Sequence, residues 1–368
     1  MTLRHPHLLV SLTAHGFGHA AMTAPVVNEL RHRLPSLRVT LQSDHPAAWL
    51  ATRFEAPYDL ISGPGDFGLK MASATKILLE ESAAGYRAQH DTLETRVKTL
   101  VESYRSLEVD LLLANIPYVA LLAAKQAGIP TIAMSCLNWA DIYGYYFGGR
   151  PEGPAIEAEM LDAYRSASVF LRPAPSMPMP RLTNTRSIGP IAPRGRGCRA
   201  EIRARLGLAE SGRLGIIAFG GVDPGLPLDR WPHLDGWRWL VTGDTAGHPD
   251  LIAFDPAWMD FTDVLQSCDV VVTKPGYGTF TEAAVNGVPV LYLPRVDWPE
   301  SPALVDWLTN VGRCLPIAPE ALFDAPSLGI QLQLLFSNPI KPLVSPTGSV
   351  EAAETVLSML AGLGRLRK

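Results

Sequence analysis

The stretch DVVVTKPGYGTFTEAAVNGVPVLYLP, residues 269–294, contains in one piece the pattern that decides the fold. The apolar run ending at Thr273 is a strand, and Pro275, Gly276 and Gly278 break it. A helix follows, and Pro289 to Leu293 is a second strand that stops at Pro294. Two strands joined through a helix run parallel, and a parallel sheet must be covered on both faces. The same rhythm recurs upstream, with Leu214 to Phe219 running into Gly220-Gly221 and Trp237 to Val241 into Thr242-Gly243. Far upstream, His7 to Thr13 ends at Ala-His-Gly-Phe-Gly-His before helical spacing through Arg33. Strand-like runs at Leu37 to Leu41, Val109 to Leu113 and Thr131 to Met134 alternate with helices such as Val119 to Ala127, which Gly128 should terminate. Lys70 to Ser106 reads as one or two helices packed outside the sheet.

Between these alternating regions, residues 172–196 hold six prolines and five arginines and read as a linker. The expected architecture is therefore α/β, with two Rossmann-like, doubly wound parallel-sheet domains, residues 1–190 and 195–345, facing across a cleft. The helical spacing from Ser349 to Leu360 predicts a C-terminal helix, within 347–364, that packs back on the first domain. A length of 368 residues suits two domains. Gly (31) and Pro (32) make up about one residue in six, against about one in eight on average, as many short turns require.

Composition narrows the function. Charged residues are 18% of the chain and apolar ones 47%, which describes a compact protein with ample core rather than a disordered one. The net charge of −4 argues against holding nucleic acid through its phosphates. Cys136, Cys198, Cys268 and Cys314 form no CxxC pair, which fits a reducing cytosol and removes zinc-ribbon readings. Met1 to Ser11 lacks the features of a secretory leader, and the most apolar stretch, Leu111 to Ala124, is broken by Asn115 and Pro117 and is too short to span a bilayer. A cytoplasmic location is expected. Peripheral contact with a membrane surface stays open, and the basic end Gly364 to Lys368 reads mainly as a solvated terminus. The oligomeric state is not legible.

In open parallel sheets ligands bind at the carboxyl ends of strands, so the chemistry belongs on strand-to-helix turns. After Thr273, the glycines let a ligand approach the backbone and the following helix N-terminus makes an anion site, to which Thr279 adds a hydroxyl. Glu282, one helical turn on, can accept hydrogen bonds from a diol such as a ribose. A plain helix cap is the competing reading. In residues 14–20, AHGFGHA, His19 falls in the first helical turn, where an imidazole acts as a base near neutral pH. His15 and His19 as metal ligands, or as simple turn residues, are the alternatives. No HExxH and no neighbouring carboxylate pair support a metal. There is no GxSxG, no P-loop and no convincing Cys/His arrangement. The group Trp139, Tyr143, Tyr145, Tyr146 and Phe147 reads as core packing or as an acceptor platform.

HGFGHA at 15–20, GIPTIAMSCLNWADIY at 128–143 and KPGYGTFTEAAVNGVPVLYLPRVDWPE at 274–300 resemble the GT-B glycosyltransferases. Within them the resemblance is to the branch of the bacterial cell-wall N-acetylglucosaminyltransferase, the UDP-glucuronosyltransferase-like enzymes and the glycosyltransferase-like N-terminal domain of plant L-arabinokinases. The resemblance implies an inverting, metal-independent transfer of sugar from a nucleotide-diphosphate donor, with UDP the commonest nucleotide, to an acceptor hydroxyl of unspecified identity. It needs no resident cofactor; the nucleotide sugar is a co-substrate. It implies His19 as the base, with Asn115 where plant members place an orienting Asp. It also implies a nucleotide and diphosphate site of Gly220, Gly221, Thr242, Lys274, Gly276, Tyr277, Gly278, Thr279 and Glu282. Lys274, where many relatives carry His, adds a cation beside the leaving group. Gly16, Gly18, Trp139, Arg295, Asp297 and Glu300 fall at acceptor or donor-sugar positions, with Glu300 replacing the family's Gln. With no P-loop, kinase activity is not expected. A nucleotide-sugar-binding protein without transferase activity, or an epimerase or hydrolase on the same fold, are the alternative functions.

Overall fold

The computed structural model describes residues 5–73, 76–209, 211–220, 226–255 and 259–365. The chain forms two compact units, one of residues up to 72, 76–191 and 347 onward, the other of residues 192–346. The first unit runs β1 (His7–Leu12), α1 (Gly18–Arg33), β2 (Arg38–Gln42), α2 (Ala47–Leu50), β3 (Asp59–Ile61), α3 (Leu79–Asp91), α4 (Leu93–Ser106), β4 (Leu111–Asn115), α5 (Tyr118–Ala127), β5 (Thr131–Met134), α6 (Trp139–Phe147), α7 (Gly153–Arg165), β6 (Val169–Pro173) and β7 (Thr185–Ile188). The second runs α8 (Arg199–Arg205), β8 (Arg213–Ile217), β9 (Trp237–Thr242), β10 (Leu251–Phe254), α9 (Phe261–Ser267), β11 (Val270–Thr273), α10 (Tyr277–Asn286), β12 (Val290–Tyr292), α11 (Ser301–Val311), β13 (Cys314–Pro316), α12 (Pro319–Leu322) and α13 (Ala325–Ser337). A last helix, α14 (Gly348–Gly362), belongs to the first unit.

The first sheet has the order β3-β2-β1-β4-β5-β6-β7 and the second β10-β9-β8-β11-β12-β13, with every named pair parallel. In each, the strand order reverses beside the unit's first strand: between β1 and β4 in one, between β8 and β11 in the other. Those are the topological switch points, where the turns diverge and leave a crevice at the carboxyl edge. The central strands β1 and β4 are buried along their whole length, which is why they read as unbroken apolar runs. Gly128 closes α5 in the left-handed region, φ 73°, and its N–H and that of Ile129 take the last carbonyls of the helix. The second core stacks Trp237 on Trp239, which packs edge-on to Trp231 among Val241, Leu291, Leu322 and Leu332.

Four readings of the sequence are corrected or refined. The proline-rich stretch is not wholly a linker: β6 ends at Pro173 and Thr185–Ile188 forms β7, the edge strand of the first sheet. That strand pairs on one side only and exposes two of its four residues, so no apolar run betrays it. The region after Lys70 resolves into two helices, α3 and α4. Of the aromatic group, Trp139, Tyr143 and Phe147 are buried core, whereas Tyr145 is 60% exposed. The C-terminal helix packs on α1, with Arg33 reaching Glu354 and Arg365 ion-paired to the buried Asp110, so Arg365 is not a freely solvated end. Among the described residues, no helix is long and apolar enough to cross a membrane.

Candidate functional site

In the first unit, β1 and β4 deliver two polar side chains to the switch point. His19 is the second residue of α1, and Asn115 is the last residue of β4; they are 6% and 0% exposed. His19 Nδ1 lies 2.9 Å from Asn115 Oδ1, and Asn115 Nδ2 lies 3.2 Å from the His19 carbonyl and 2.9 Å from Thr23 Oγ1. A carbonyl oxygen only accepts, so the amide nitrogen of Asn115 must face it and the amide oxygen must face the imidazole. His19 Nδ1 is then the protonated nitrogen and donates, leaving the lone pair on Nε2. Burial lowers the His19 pKa to about 4, with His45 adding a smaller push downward and the Asn115 hydrogen bond opposing both. The imidazole is therefore neutral at pH 7 and able to take a proton.

A strap from the β3–α3 connection lies over this dyad's neighbours. The Leu69 N–H donates to His15 Nδ1 at 3.3 Å, and Gly68, at φ 68°, is wedged so that a Cβ would fall 2.6 Å from the Trp139 ring and 2.9 Å from His15. Only glycine has both the conformation and the bulk for that position. Trp139 in turn touches the rings of His15 and His19, with centroids 4.9 and 5.7 Å away. The strap is anchored by Asp66, which is buried near Gln89 and the start of α5, and by Arg96, which donates to the Pro64 carbonyl at 2.6 Å. Burial raises the Asp66 pKa to about 7, against the opposing pull of Arg96 and backbone N–H groups of α5. On the other side, His45 donates from Nε2 to the Gly16 carbonyl at 2.7 Å, which pins the turn before α1. A Cβ on Gly16 or Gly18 would meet nothing within 4 Å, so space beside that turn is open.

In the second unit, Lys274 follows β11 and Gly276 precedes α10. No side chain caps α10, and its first backbone bond is from the Phe280 N–H to the Gly276 carbonyl. The N–H groups of Gly278 and Thr279 thus lie ahead of the first intrahelical acceptor. Gly276 is extended, φ −165°, a conformation open to any residue, and a Cβ on Gly278 would meet nothing within 4 Å. Neither glycine is required by the protein's own packing; what both provide is bare backbone at an open helix N-terminus. Burial lowers the Lys274 pKa to about 8, with Arg295 adding to the shift and Glu300 opposing it. Arg295 lies 3.9 Å over the Trp298 ring, and Trp298 Nε1 donates to Glu300 at 3.0 Å.

The remaining predicted residues fall as follows. Gly220 follows β8 with φ 73°, Thr242 is the exposed last residue of β9, and Gly221 lies outside the described residues. Tyr277 is buried, Thr279 and Glu282 are half-buried on α10, Asp297 is exposed, and Glu300 is buried against Trp298 rather than presented outward. Sequence reasoning passed over Thr23, His45, Asp66 and Gly68. The run GPGDFG at 63–68, with three glycines in six residues, was a signal for the strap.

No family model matches the chain. In sequence it is similar to the L-arabinokinase of Arabidopsis thaliana, 27% identical over 312 residues that make up 81% of this chain and 29% of that protein. The chain thus spans less than a third of that relative's length. Among solved structures it is similar to CalG4, the calicheamicin glycosyltransferase, with a TM-score of 0.67 at 16% identity over 97% of this chain and 99% of that one. It is also similar to a UDP-glucosyltransferase from Polygonum tinctorium, with a TM-score of 0.65 at 14% identity over 98% of this chain and 100% of that one.

Proposed function

We propose that this chain, whose fold is that of the GT-B glycosyltransferases, transfers a sugar from a nucleotide-diphosphate donor to an acceptor hydroxyl. The acceptor is held by the first unit and the donor by the second. His19 Nε2 takes the acceptor's proton as its oxygen attacks the anomeric carbon with inversion. The bond from that carbon to the diphosphate oxygen breaks, and the electron pair leaves on the diphosphate, which Lys274 and the α10 amides receive. Glu282 takes the ribose hydroxyls, and Gly220 brings backbone close to the diphosphate. Asp297, the outward-facing member of its pair, takes donor-sugar hydroxyls. The helix N-terminus and Lys274 supply the positive charge, so the reaction uses neither a metal nor a resident cofactor. UDP is the expected nucleotide, supported by the likeness to a UDP-glucosyltransferase.

The observation that carries this reading is the hydrogen-bond set that leaves the Nε2 lone pair of a neutral His19 at the switch point of the first sheet. A thermal-shift screen of UDP, GDP, TDP and their sugars tests the donor, because a ligand bound only by the folded state raises Tm. Turnover assays with the hits test the transfer. No shift with any nucleotide or nucleotide sugar would refute the proposal.

A second reading rests on Asn115. A proton taken by His19 creates an imidazolium with no carboxylate beside it, in surroundings that hold its pKa near 4. A nucleotide-sugar-binding protein without transferase activity accounts for that neutrality. Donor binding with no turnover over a broad acceptor panel, and no donor hydrolysis or epimerisation, would favour it.

A further inference from the structure

We infer that Thr23 is a positioning residue that locks the tautomer of His19. The inference rests on the proposed role of His19 as base, but its first readout does not. Thr23 lies one turn after His19 on α1 and is fully buried. Its hydroxyl donates to the His19 carbonyl at 2.8 Å, which commits the hydroxyl proton and leaves its lone pairs to accept from Asn115 Nδ2 at 2.9 Å. Both acceptors around that nitrogen, the His19 carbonyl and the Thr23 oxygen, therefore face it with electron pairs. Turning the amide over would set its oxygen against two oxygens and its N–H₂ against His19 Nδ1, which would then have to give up its proton. The Nε2–H tautomer would follow, with no lone pair left where the acceptor's proton must go.

A threonine that bonds back to the carbonyl four residues earlier is common in helices and by itself says nothing. α10 contains one: Thr281 donates to the Tyr277 carbonyl at 2.8 Å. Thr23 differs in its third partner, an amide from the neighbouring strand that itself holds a titratable ring.

The test uses the full chain with ¹⁵N-labelled histidine, with the His19 signals among the nine histidines assigned by loss in His19→Gln. In the native protein at pH 7, His19 should be protonated at Nδ1 and bare at Nε2. Thr23→Val, which keeps the shape and removes the hydroxyl, should show a mixture of tautomers. It should also lower kcat ~10-fold, as loss of a buried hydrogen-bond partner does, with UDP affinity unchanged. Thr23→Ser should restore both. A native Nε2–H tautomer, or a Thr23→Val protein with the native tautomer, would overturn the inference. If Thr23→Val does not fold, Thr23→Ala, which also removes the hydroxyl, is read in the same way. If no variant or native protein turns over but Thr23→Val shifts the tautomer, the lock stands and the transferase reading falls.

Discussion

The turn after β1 and the turn after β11 each border the switch point of a parallel sheet, from opposite sides, and each leads into a helix without a side-chain cap. They differ in what fills them. The first is closed: His19, Asn115 and Thr23 satisfy one another, and the result is a neutral ring with one lone pair. The second is open: backbone N–H groups at a helix start without a side-chain cap lie near the Lys274 ammonium, whose pKa burial lowers. Two turns that border a switch point thus present opposite surroundings, one an uncharged ring and the other bare amides beside a cation, and a handful of residues makes the difference.

The comparison is broken most severely by removing the base. His19→Gln should reduce turnover by about 10²- to 10⁴-fold while the UDP-induced thermal shift is retained, because the open turn is untouched. Loss of both would show that the two turns are not separable. Next in size, Lys274→Met should weaken UDP binding by roughly 10- to 100-fold, as expected for a charge-assisted contact. In the native protein, calorimetry should show UDP affinity falling as pH rises above about 8, where free Lys274 loses its proton. A diphosphate stabilises the ammonium, so the bound state holds more protons and rising pH opposes binding. Affinity flat to pH 9.5 would place the diphosphate away from Lys274.

Smaller effects concern stability. The folded His19 pKa of about 4 lies below the ordinary histidine value of 6.5, so the unfolded chain binds the extra proton between those values. Stability from His19 is present above pH 6.5 and is lost as pH falls toward 4. Asp66 runs the other way: its folded pKa of about 7 exceeds the ordinary aspartate value of 3.8, so its contribution is greatest below 3.8 and is lost as pH rises through 7. Denaturant titrations should show that His19→Gln flattens the acid side and Asp66→Asn the neutral side. Unchanged pH profiles would contradict the buried environments of both groups. Least of all, Gly278→Ala should leave the free protein as stable or up to about 1 kcal/mol more stable, since alanine is the better helix former, yet weaken UDP binding by crowding the bare backbone. Equal UDP affinity would mean that no ligand comes close there.

The open turn was the more legible of the two. Its chemistry is local, so TKPGYGTFTE announces strand end, glycines and helix start within ten residues. The closed turn is built from contacts 96 and 92 residues apart in sequence, Asn115 to His19 and Asn115 to Thr23. Asn115 was visible as a polar interruption of an apolar run, but Thr23 sits among helix residues where a threonine carries no signal. Asp66 and Gly68 were hidden for the same reason, since a strap acquires meaning only from what it crosses. Glu300 shows the converse: its position lies near a sugar-binding pattern that carries Gln, while its carboxylate in the structure accepts from Trp298. β7 escaped notice because a short edge strand with two exposed residues out of four lies inside a run of prolines.

The return of α14 to the first unit has a consequence for how the protein is made. Ala352, Ala353, Val356 and Leu360 are buried, on the helix that packs against α1, yet they are synthesised after all of the second unit. On the ribosome, the unit that begins first therefore waits longest for its last helix, and the second unit has its whole sequence available before the first does.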